Sequence, residues 1–313
     1  MSRSLAGRLF GVLSVMFVVA SLVFVIVRLV PGDPAAVMLG PDARPADVAS
    51  LREKLGLDAS IPRQYLAYLG HVATGDLGQS IFLGRPVLQA IAERAEPTVC
   101  LTLMAIVIAV LIGVPAGILS AVNRGGLFDQ AVLSFAMLAA SLPSFWLALI
   151  LIRRFAVELH WFPASGYGPP GADFLTRMGC LVLPAIVLGI GSSSLVTRFT
   201  RASMLDVLGE DFIRTARAKG LAEHVVLFRH AFANAAIPVL TVVGLSLALL
   251  LGGAVVTETV FGLPGIGSLV VSAVLRRDYP VIQGALLVVA GVYVLVNLAI
   301  DVVYLLADPR LRR

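Results

Sequence analysis

Charged residues are scarce in this chain. Asp, Glu, Lys and Arg make up 14% of its 313 residues, whereas a soluble domain carries about a quarter. Lysine occurs only at Lys54 and Lys219, and the basic excess lies in short segments without interleaved aromatic residues, which argues against nucleic-acid binding. In place of charge, 58% of the residues are hydrophobic, arranged in runs long enough to cross a bilayer. The composition therefore indicates an integral membrane protein.

Several motifs that carry chemistry are also absent from the sequence. There is no G-x-x-x-x-G-K-[ST] motif, so the chain is not expected to hold ATP. The lack of H-E-x-x-H and G-x-S-x-G weakens the hypothesis of a membrane-bound hydrolase. The four histidines are scattered, and neither a metal site nor a cofactor is predicted. Cys100 and Cys180 could form a disulfide, but the favoured interpretation is that both are small buried hydrophobic residues.

The apolar runs predict six transmembrane helices. They lie at about residues 9–30, 98–120, 128–152, 180–199, 236–257 and 284–306. Half of the Lys and Arg residues fall in the short segments that this arrangement leaves on one side, which the positive-inside rule makes the cytoplasmic side. We therefore predict an all-α polytopic membrane protein with both termini cytoplasmic. Leu142-Pro143 predicts a kink in the third span.

The spans divide the sequence into four regions. We predict an N-terminal anchor over 1–34, a small external subdomain over 35–97, a five-helix core over 98–306 and a cytoplasmic tail over 307–313. Pro31-Gly-Asp-Pro34 should end the first span, because two prolines and a glycine cannot continue a helix. Between the last two spans, Phe261-Gly-Leu-Pro-Gly-Ile-Gly267 resembles the short outer hairpin of a known family of membrane permeases, and a hairpin is therefore expected there. The external subdomain either receives a soluble partner or serves as a packing collar.

One long segment between two apolar runs is rich in both charge and helix formers. Arg214, Arg217 and Lys219 crowd one turn, Gly220 interrupts the helical pattern, and a second amphipathic stretch continues to Pro238. Such a segment cannot lie in lipid, because its charges would be left without water. It suits a helix on the membrane surface that is offered to a soluble partner. The alternative is a solvated basic loop that only obeys the positive-inside rule.

This segment also resembles a known one. Together with His230 and Asn234, the run Arg214-Thr-Ala-Arg-Ala-Lys-Gly-Leu221 is similar to the cytoplasmic coupling loop of binding-protein-dependent ABC importer permeases, in the first-permease (B-type) subunit of the dipeptide, oligopeptide and nickel transporters. The resemblance extends over nearly the whole chain, although Ala233 stands where the peptide subfamily usually has Arg. Within a loop over 200–235, it assigns ATPase coupling to Arg214, Thr215, Ala216, Arg217, Ala218, Lys219, Gly220, Leu221, His230 and Asn234. It implies that a helix from about Ala216 to Phe232 transmits the motion, with Arg214, Arg217 and Lys219 orienting it against an acidic partner surface.

The resemblance implies a function without catalysis in this chain. It implies a permease that moves dipeptides, oligopeptides or a related small solute across the bacterial inner membrane by alternating access. The implied partners are a second homologous permease in a heterodimer, two ABC ATPase subunits that bind ATP and magnesium, a periplasmic substrate-binding protein and the lipid bilayer. The competing hypothesis is an ion-gradient-driven secondary transporter. The substrate stays open among dipeptides, longer peptides, glutathione, nickel chelates and oligosaccharides.

Polar residues inside the spans are candidates for the translocation path or for helix packing. Asp301 is acidic, lies well inside a span and shares a helix face with Asn297. Because Asp301 is near the cytoplasmic end of that span, a helix-packing or interfacial role of the two residues is favoured over translocation. The path is expected where the third and fifth spans face a partner permease, and we predict that it is lined by Ser141, Pro143, Ser144, Ser246, Thr257 and Glu258.

Overall fold

The computed structural model describes residues 2–29, 33–40, 43–54 and 56–307, and these residues are almost entirely helical. Within these ranges the only strand-like pairing is an isolated bridge between Gln79 and Pro86. The helices are α1 (Ser2–Leu29), α2 (Pro34–Leu39), α3 (Pro45–Lys54), α4 (Ile61–Ala73), α5 (Val87–Val122), α6 (Leu127–Ser141), α7 (Ser144–Leu151), α8 (Phe174–Leu208), α9 (Asp211–Ala218), α10 (Glu223–Val225), α11 (Ala233–Val260), α12 (Ile266–Arg276) and α13 (Tyr279–Ala307). A π-helical segment, Ile152–Glu158, continues α7, and a second, Val226–Phe232, joins α10 to α11.

The number of membrane spans agrees with the sequence prediction. Five helical stretches are long and apolar enough to cross a bilayer, and the pair formed by α6 and the α7 stretch makes up to six. The all-α polytopic class is therefore confirmed. The sidedness of the termini stays a prediction, and the predicted tail beyond Ala307 lies outside the described residues.

The third span is broken rather than kinked. α6 and the α7 stretch that runs on to Glu158 meet at an angle of 98°. Leu142 and Pro143 both have extended backbone angles at the break, with ψ of 125° and 129°. Proline disfavours helical geometry in the residue before it and has no N–H to donate, so the hydrogen-bond ladder stops here. The single helix predicted over 128–152 is thus wrong.

Two further boundaries differ from the prediction. α5 begins at Val87 and runs through Pro97, so the end of the predicted external subdomain belongs to the helix of the second span. The predicted outer hairpin between the last two spans contains a helix, α12. This helix ends where Arg277 adopts a left-handed conformation, with φ of 56°.

The chain forms two compact units, which do not follow the four predicted regions. One unit combines Met1–Glu96 with Gly265–Val294. Its core includes Val87, Leu269 and Val281. In the same unit the Ser80 hydroxyl donates to the buried Asp278 carboxylate at 2.6 Å, and this bond fastens the loop before α5 to the turn between α12 and α13.

The other unit combines Pro97–Pro264 with Leu295–Arg313 and holds the candidate site. α5 and α8 approach closely in it because glycines line their contact. A Cβ atom at Gly117 would lie 2.6 Å from the Thr200 Cβ, and one at Gly189 would lie 2.6 Å from the Ile108 Cγ2. Such distances leave no room for a side chain, so the two helices are packed backbone against backbone. The pair forms the rigid frame on which the site rests.

Candidate functional site

α9 is a short helix between two long ones. Glu210 precedes it in an extended conformation, Asp211 lies in its first turn and Arg217 in its last, so each charge opposes the nearer end of the helix dipole. Ile213 and Ala216, three residues apart, are buried, whereas Phe212 and Thr215 are exposed. The helix therefore has one face packed on the protein and one face free for contact.

The buried face of α9 joins a compact apolar cluster. This cluster contains Ile118 and Ala121 from the end of α5, Met204 from α8, Ile213 and Ala216 from α9, and Val226, Ala231 and Ala235 from the helix that leads into α11. Packed apolar side chains transmit displacement, because protein interiors are as dense as organic crystals. α9 is thus packed directly against the ends of three membrane helices.

α9 ends in a Schellman motif that needs a glycine. The Gly220 N–H donates to the Arg217 carbonyl at 2.9 Å, and the Leu221 N–H reaches back to the Ala216 carbonyl at 3.4 Å. Gly220 has φ of 76°, the left-handed region that this motif requires at the residue after the cap. The chain then turns through Leu221 and Ala222 before the next helix begins at Glu223.

The structure corrects the predicted extent of the coupling helix. A helix from about Ala216 to Phe232 was expected, but the Schellman motif ends α9 at Ala218. His230 and Asn234 therefore lie not on α9 but near the start of the long helical stretch Glu223–Val260, where the Asn234 side chain donates to the His230 carbonyl at 2.6 Å. The remaining predicted coupling residues, Arg214 to Leu221, do lie together on α9 and its C-terminal turn.

Two of the three cations of this segment are already paired within the chain. Arg214 forms an ion pair with Asp211, and Arg217 forms one with Glu223 at 2.7 Å. The hydrogen bonds that Arg217 donates to the Glu223 carboxylate raise the pKa of Arg217 above its ordinary value. Lys219 is exposed and has no ion-pair partner among the described residues. The arrangement thus presents a surface of mixed polarity with one uncompensated positive charge.

Sequence reasoning missed a buried ionic cluster close to α9. Asp129 of α6 accepts two hydrogen bonds from the Arg201 guanidinium of α8, at 2.7 and 2.8 Å. The Ser120 hydroxyl donates to the same carboxylate at 2.5 Å and the Gly125 N–H at 2.9 Å. An acidic residue in the first turn of a helix is ordinarily explained by its favourable interaction with the helix dipole. The sequence around Asp129 therefore gave no indication of a tertiary contact.

The predicted path residues fall into two groups. Ser141 and Pro143 are exposed, and Ser144 half-buried, at the break between α6 and α7. Ser246, Thr257 and Glu258 are buried within the second unit, where the Thr98 hydroxyl donates to the Glu258 carboxylate at 2.6 Å. In this conformation the second group reaches no surface, and its role in a path stays a prediction.

The two residues predicted for helix packing both lie on α13. Asn297 is half-buried, whereas the side chain of Asp301 lies outside the described residues. Cys100 and Cys180 are free thiols rather than a disulfide. Among the described residues no cluster of three or more His, Cys, Asp or Glu side chains is arranged to hold a metal ion.

Comparison with known families and proteins yields matches over nearly the full length. Residues 113–313 match the family described as "Binding-protein-dependent transport system inner membrane component", and residues 1–104 match the N-terminal region of such membrane components. The chain is 44% identical over 305 residues to a probable peptide ABC transporter permease protein of Sinorhizobium fredii, a match that covers 97% of each chain.

Two other relatives carry different substrate names. The chain is 42% identical to the dipeptide transport system permease protein DppB of Alkalihalophilus pseudofirmus, over 97% of this chain and 98% of the relative. It is also 42% identical to the glutathione transport system permease protein GsiC of Escherichia coli, over 97% of each. Among solved structures, a chain of the inward-facing MetNI methionine ABC transporter has the same fold, with a TM-score of 0.59, 17% identity, and coverage of 71% of this chain and 97% of that one.

Proposed function

We propose that this chain, which belongs to the family of binding-protein-dependent transport system inner membrane components, receives the motion of an ATPase through α9 and its C-terminal turn. As a member of this family it is the permease subunit of an ABC importer and a multi-pass protein of the bacterial inner membrane. It is not an enzyme, because ATP hydrolysis belongs to separate subunits of such transporters.

The observation that carries the coupling proposal is the two-faced packing of α9. Its buried face is fixed to the ends of α5, α8 and the helix leading into α11, and its other face is exposed. A partner that binds the exposed face acts on three membrane helices at once through Ile213 and Ala216. A solvated loop without such anchoring would move freely and transmit nothing.

Other ABC subunits complete the transporter, and we propose their arrangement from the family. The chain would pair with a different, homologous permease, since one set of six spans lines half of a path. Two ATPase subunits would bind ATP and magnesium below this pair, and a periplasmic protein would deliver the substrate. This arrangement places both termini and α9 in the cytoplasm, in agreement with the excess of basic residues there. The chain itself would bind neither nucleotide nor nucleic acid.

We propose short peptides as the substrate class. The three relatives are named for peptides, for dipeptides and for glutathione, and all three compounds share a peptide backbone with ionised ends. The full-length identity of 42% to 44% to each of these relatives supports the class without selecting one member of it.

The assembly is tested by purifying the tagged chain in a gentle detergent from its own membrane and identifying the bound proteins by mass spectrometry. We expect two ATPases with Walker motifs and a second six-span permease. Uptake of a labelled dipeptide into proteoliposomes that contain the complex, with ATP inside, then tests transport. Purification of the chain alone, together with uptake driven by an ion gradient, would instead establish a secondary transporter.

A further inference from the structure

The ion pair between Asp129 and Arg201 links three separate parts of the second unit. Asp129 lies in the first turn of α6, Arg201 near the end of α8, and Ser120 near the end of α5. The carboxylate is buried, and it accepts four hydrogen bonds at 2.5 to 2.9 Å from these helices and from the Gly125 N–H. A bidentate contact of this kind fixes both the distance and the angle between α6 and α8.

Stability alone does not explain such a pair. The free energy needed to remove two charges from water is about as large as the free energy gained from their attraction in the protein interior. Well-packed apolar residues often stabilise the same position equally well or better. What the ionic arrangement adds is a defined geometry, because an apolar contact permits sliding whereas a bidentate hydrogen-bonded pair does not.

α6 packs closely against α8, but its contact with α5 and α8 also contains a cavity. α5 and α8 meet backbone to backbone at Gly113 and Gly117, so they move as one body. Between them and α6 lies a cavity of about 250 Å³, lined by residues that include Ala116, Phe135 and Thr197. A void forfeits attractive contacts on one side of its lining, so the cavity leaves α6 room to tilt. The ion pair thus fixes the start of α6, and the cavity lies farther along the same helix.

The same pair adjoins α9. Arg201 lies less than one helical turn from Met204, and Met204 packs in one cluster with Ile213 of α9. α9 follows directly after α8, separated from it by Gly209 and Glu210 alone. At its other end α6 runs to the break at Leu142 and Pro143, where two of the candidate path serines lie. A continuous series of contacts therefore leads from α9 to the broken span.

We propose that Asp129 and Arg201 are positioning residues, which convert displacement of α9 into tilting of α6 and so into movement of the α6–α7 break. This inference rests on the proposed function of α9 as the site of ATPase contact. According to this proposal, the ion pair determines how many substrate molecules are transported for each ATP hydrolysed, and it is not required for folding or for ATP hydrolysis.

The test measures uptake and hydrolysis on the same purified complex. Proteoliposomes with the full transporter and its binding protein are assayed for labelled dipeptide taken up and for phosphate released, and the ratio of the two is compared among variants. For Asp129→Asn, which keeps the size of the side chain but removes its charge, we expect hydrolysis to continue and uptake per ATP to fall roughly tenfold or more. An assembled Asp129→Asn complex with a normal ratio would overturn the proposal.

A control variant at an exposed ion pair locates the effect. Arg154→Gln removes one charge from an exposed pair with Glu158 and should leave the ratio unchanged. A wild-type complex without ATP-driven uptake would count against the proposed function itself, and not against the role of this pair.

A double variant covers the case in which Asp129→Asn fails to assemble. Asp129→Leu combined with Arg201→Met leaves no unpaired buried charge and is expected to fold. If it binds the ATPases and hydrolyses ATP but transports poorly, the positioning role is supported, because only the directional contact has been lost. Normal transport per ATP by this variant, or its failure to assemble, would show that the pair serves only to hold the helices together.

Discussion

Gly220 offers the sharpest test of the coupling segment. It occupies the left-handed position of the Schellman motif that ends α9, with φ of 76°, and a Cβ atom added to it would meet nothing within 4 Å. Because there is no clash, a substitution here reports the conformational cost alone. Three replacements differ in the free-energy cost of this left-handed conformation. The cost is small for asparagine and larger for alanine, and proline cannot adopt the conformation at all.

The magnitudes follow from this conformation. Alanine in the left-handed region costs about 1–2 kcal/mol, and each 1.4 kcal/mol changes an equilibrium constant about tenfold. Gly220→Ala should therefore lower the equilibrium constant between the capped and uncapped forms roughly tenfold, with a smaller effect for Gly220→Asn. Gly220→Pro also removes the N–H that donates to Arg217 and constrains Lys219, so the turn is lost altogether.

The assay is ATP-driven uptake into proteoliposomes, with co-purification of the ATPases and the amount of chain in the membrane fraction measured in parallel. We expect uptake to fall in the order Asn, Ala, Pro and to disappear with Gly220→Pro, while membrane insertion is unchanged. Gly209→Ala is the matched control, since Gly209 is exposed in the preceding turn but has φ of −78°, which alanine adopts freely. Normal uptake by Gly220→Pro would refute the assignment of α9 and its turn to coupling.

Three further predictions concern packing in the second unit. Gly117→Ala forces a Cβ atom into the contact between α5 and α8, so we expect the protein to be destabilised by about 1–3 kcal/mol in unfolding measurements in detergent. Gly191→Ala is the control, because a Cβ atom at Gly191 would meet nothing within 4 Å, and it should be neutral or stabilising. The buried hydroxyl of Ser246 has no hydrogen-bond partner among the described residues. Ser246→Ala should therefore not lower the unfolding temperature. If the same variant loses uptake, the hydroxyl contacts substrate in another conformation. Thr98→Val removes a donor to the buried Glu258 carboxylate and should cost about 1–3 kcal/mol, and an unchanged unfolding temperature would contradict this.

The features predicted well from the sequence are those with local causes. Apolar runs, helix-breaking residues and the charged segment each depend on a few neighbouring residues, and they located the spans and the interruption of the helical pattern at Gly220. Pro143 was correctly identified as a disturbance of the third span, but not as a right-angled break. A proline pattern marks where a helix is interrupted, whereas the angle depends on what the two halves pack against.

The features that escaped prediction depend on tertiary contacts. Asp129 and Arg201 are 72 residues apart, and neither lies in a pattern that indicates a partner. A hairpin was expected between the last two spans from the resemblance to the permease family, although the residues there form an amphipathic helix, α12, whose Leu269 and Ala273 are buried. His230 and Asn234 were grouped with the coupling segment because of the resemblance to the family's coupling loop, while the turn after Gly220 separates them from α9 and they lie on the next helix.

The charges of the coupling segment also have a different meaning in the structure. From the sequence, Arg214, Arg217 and Lys219 were expected to face an acidic surface, but two of them are neutralised by Asp211 and Glu223. These pairs are exposed and solvated, so they add little to stability. The exposed apolar side chains beside them, Phe212 on α9 and Leu221 in its turn, then offer the larger area for burial. Recognition of a partner by α9 would thus depend mainly on its shape and on these two side chains, with the charges setting its orientation.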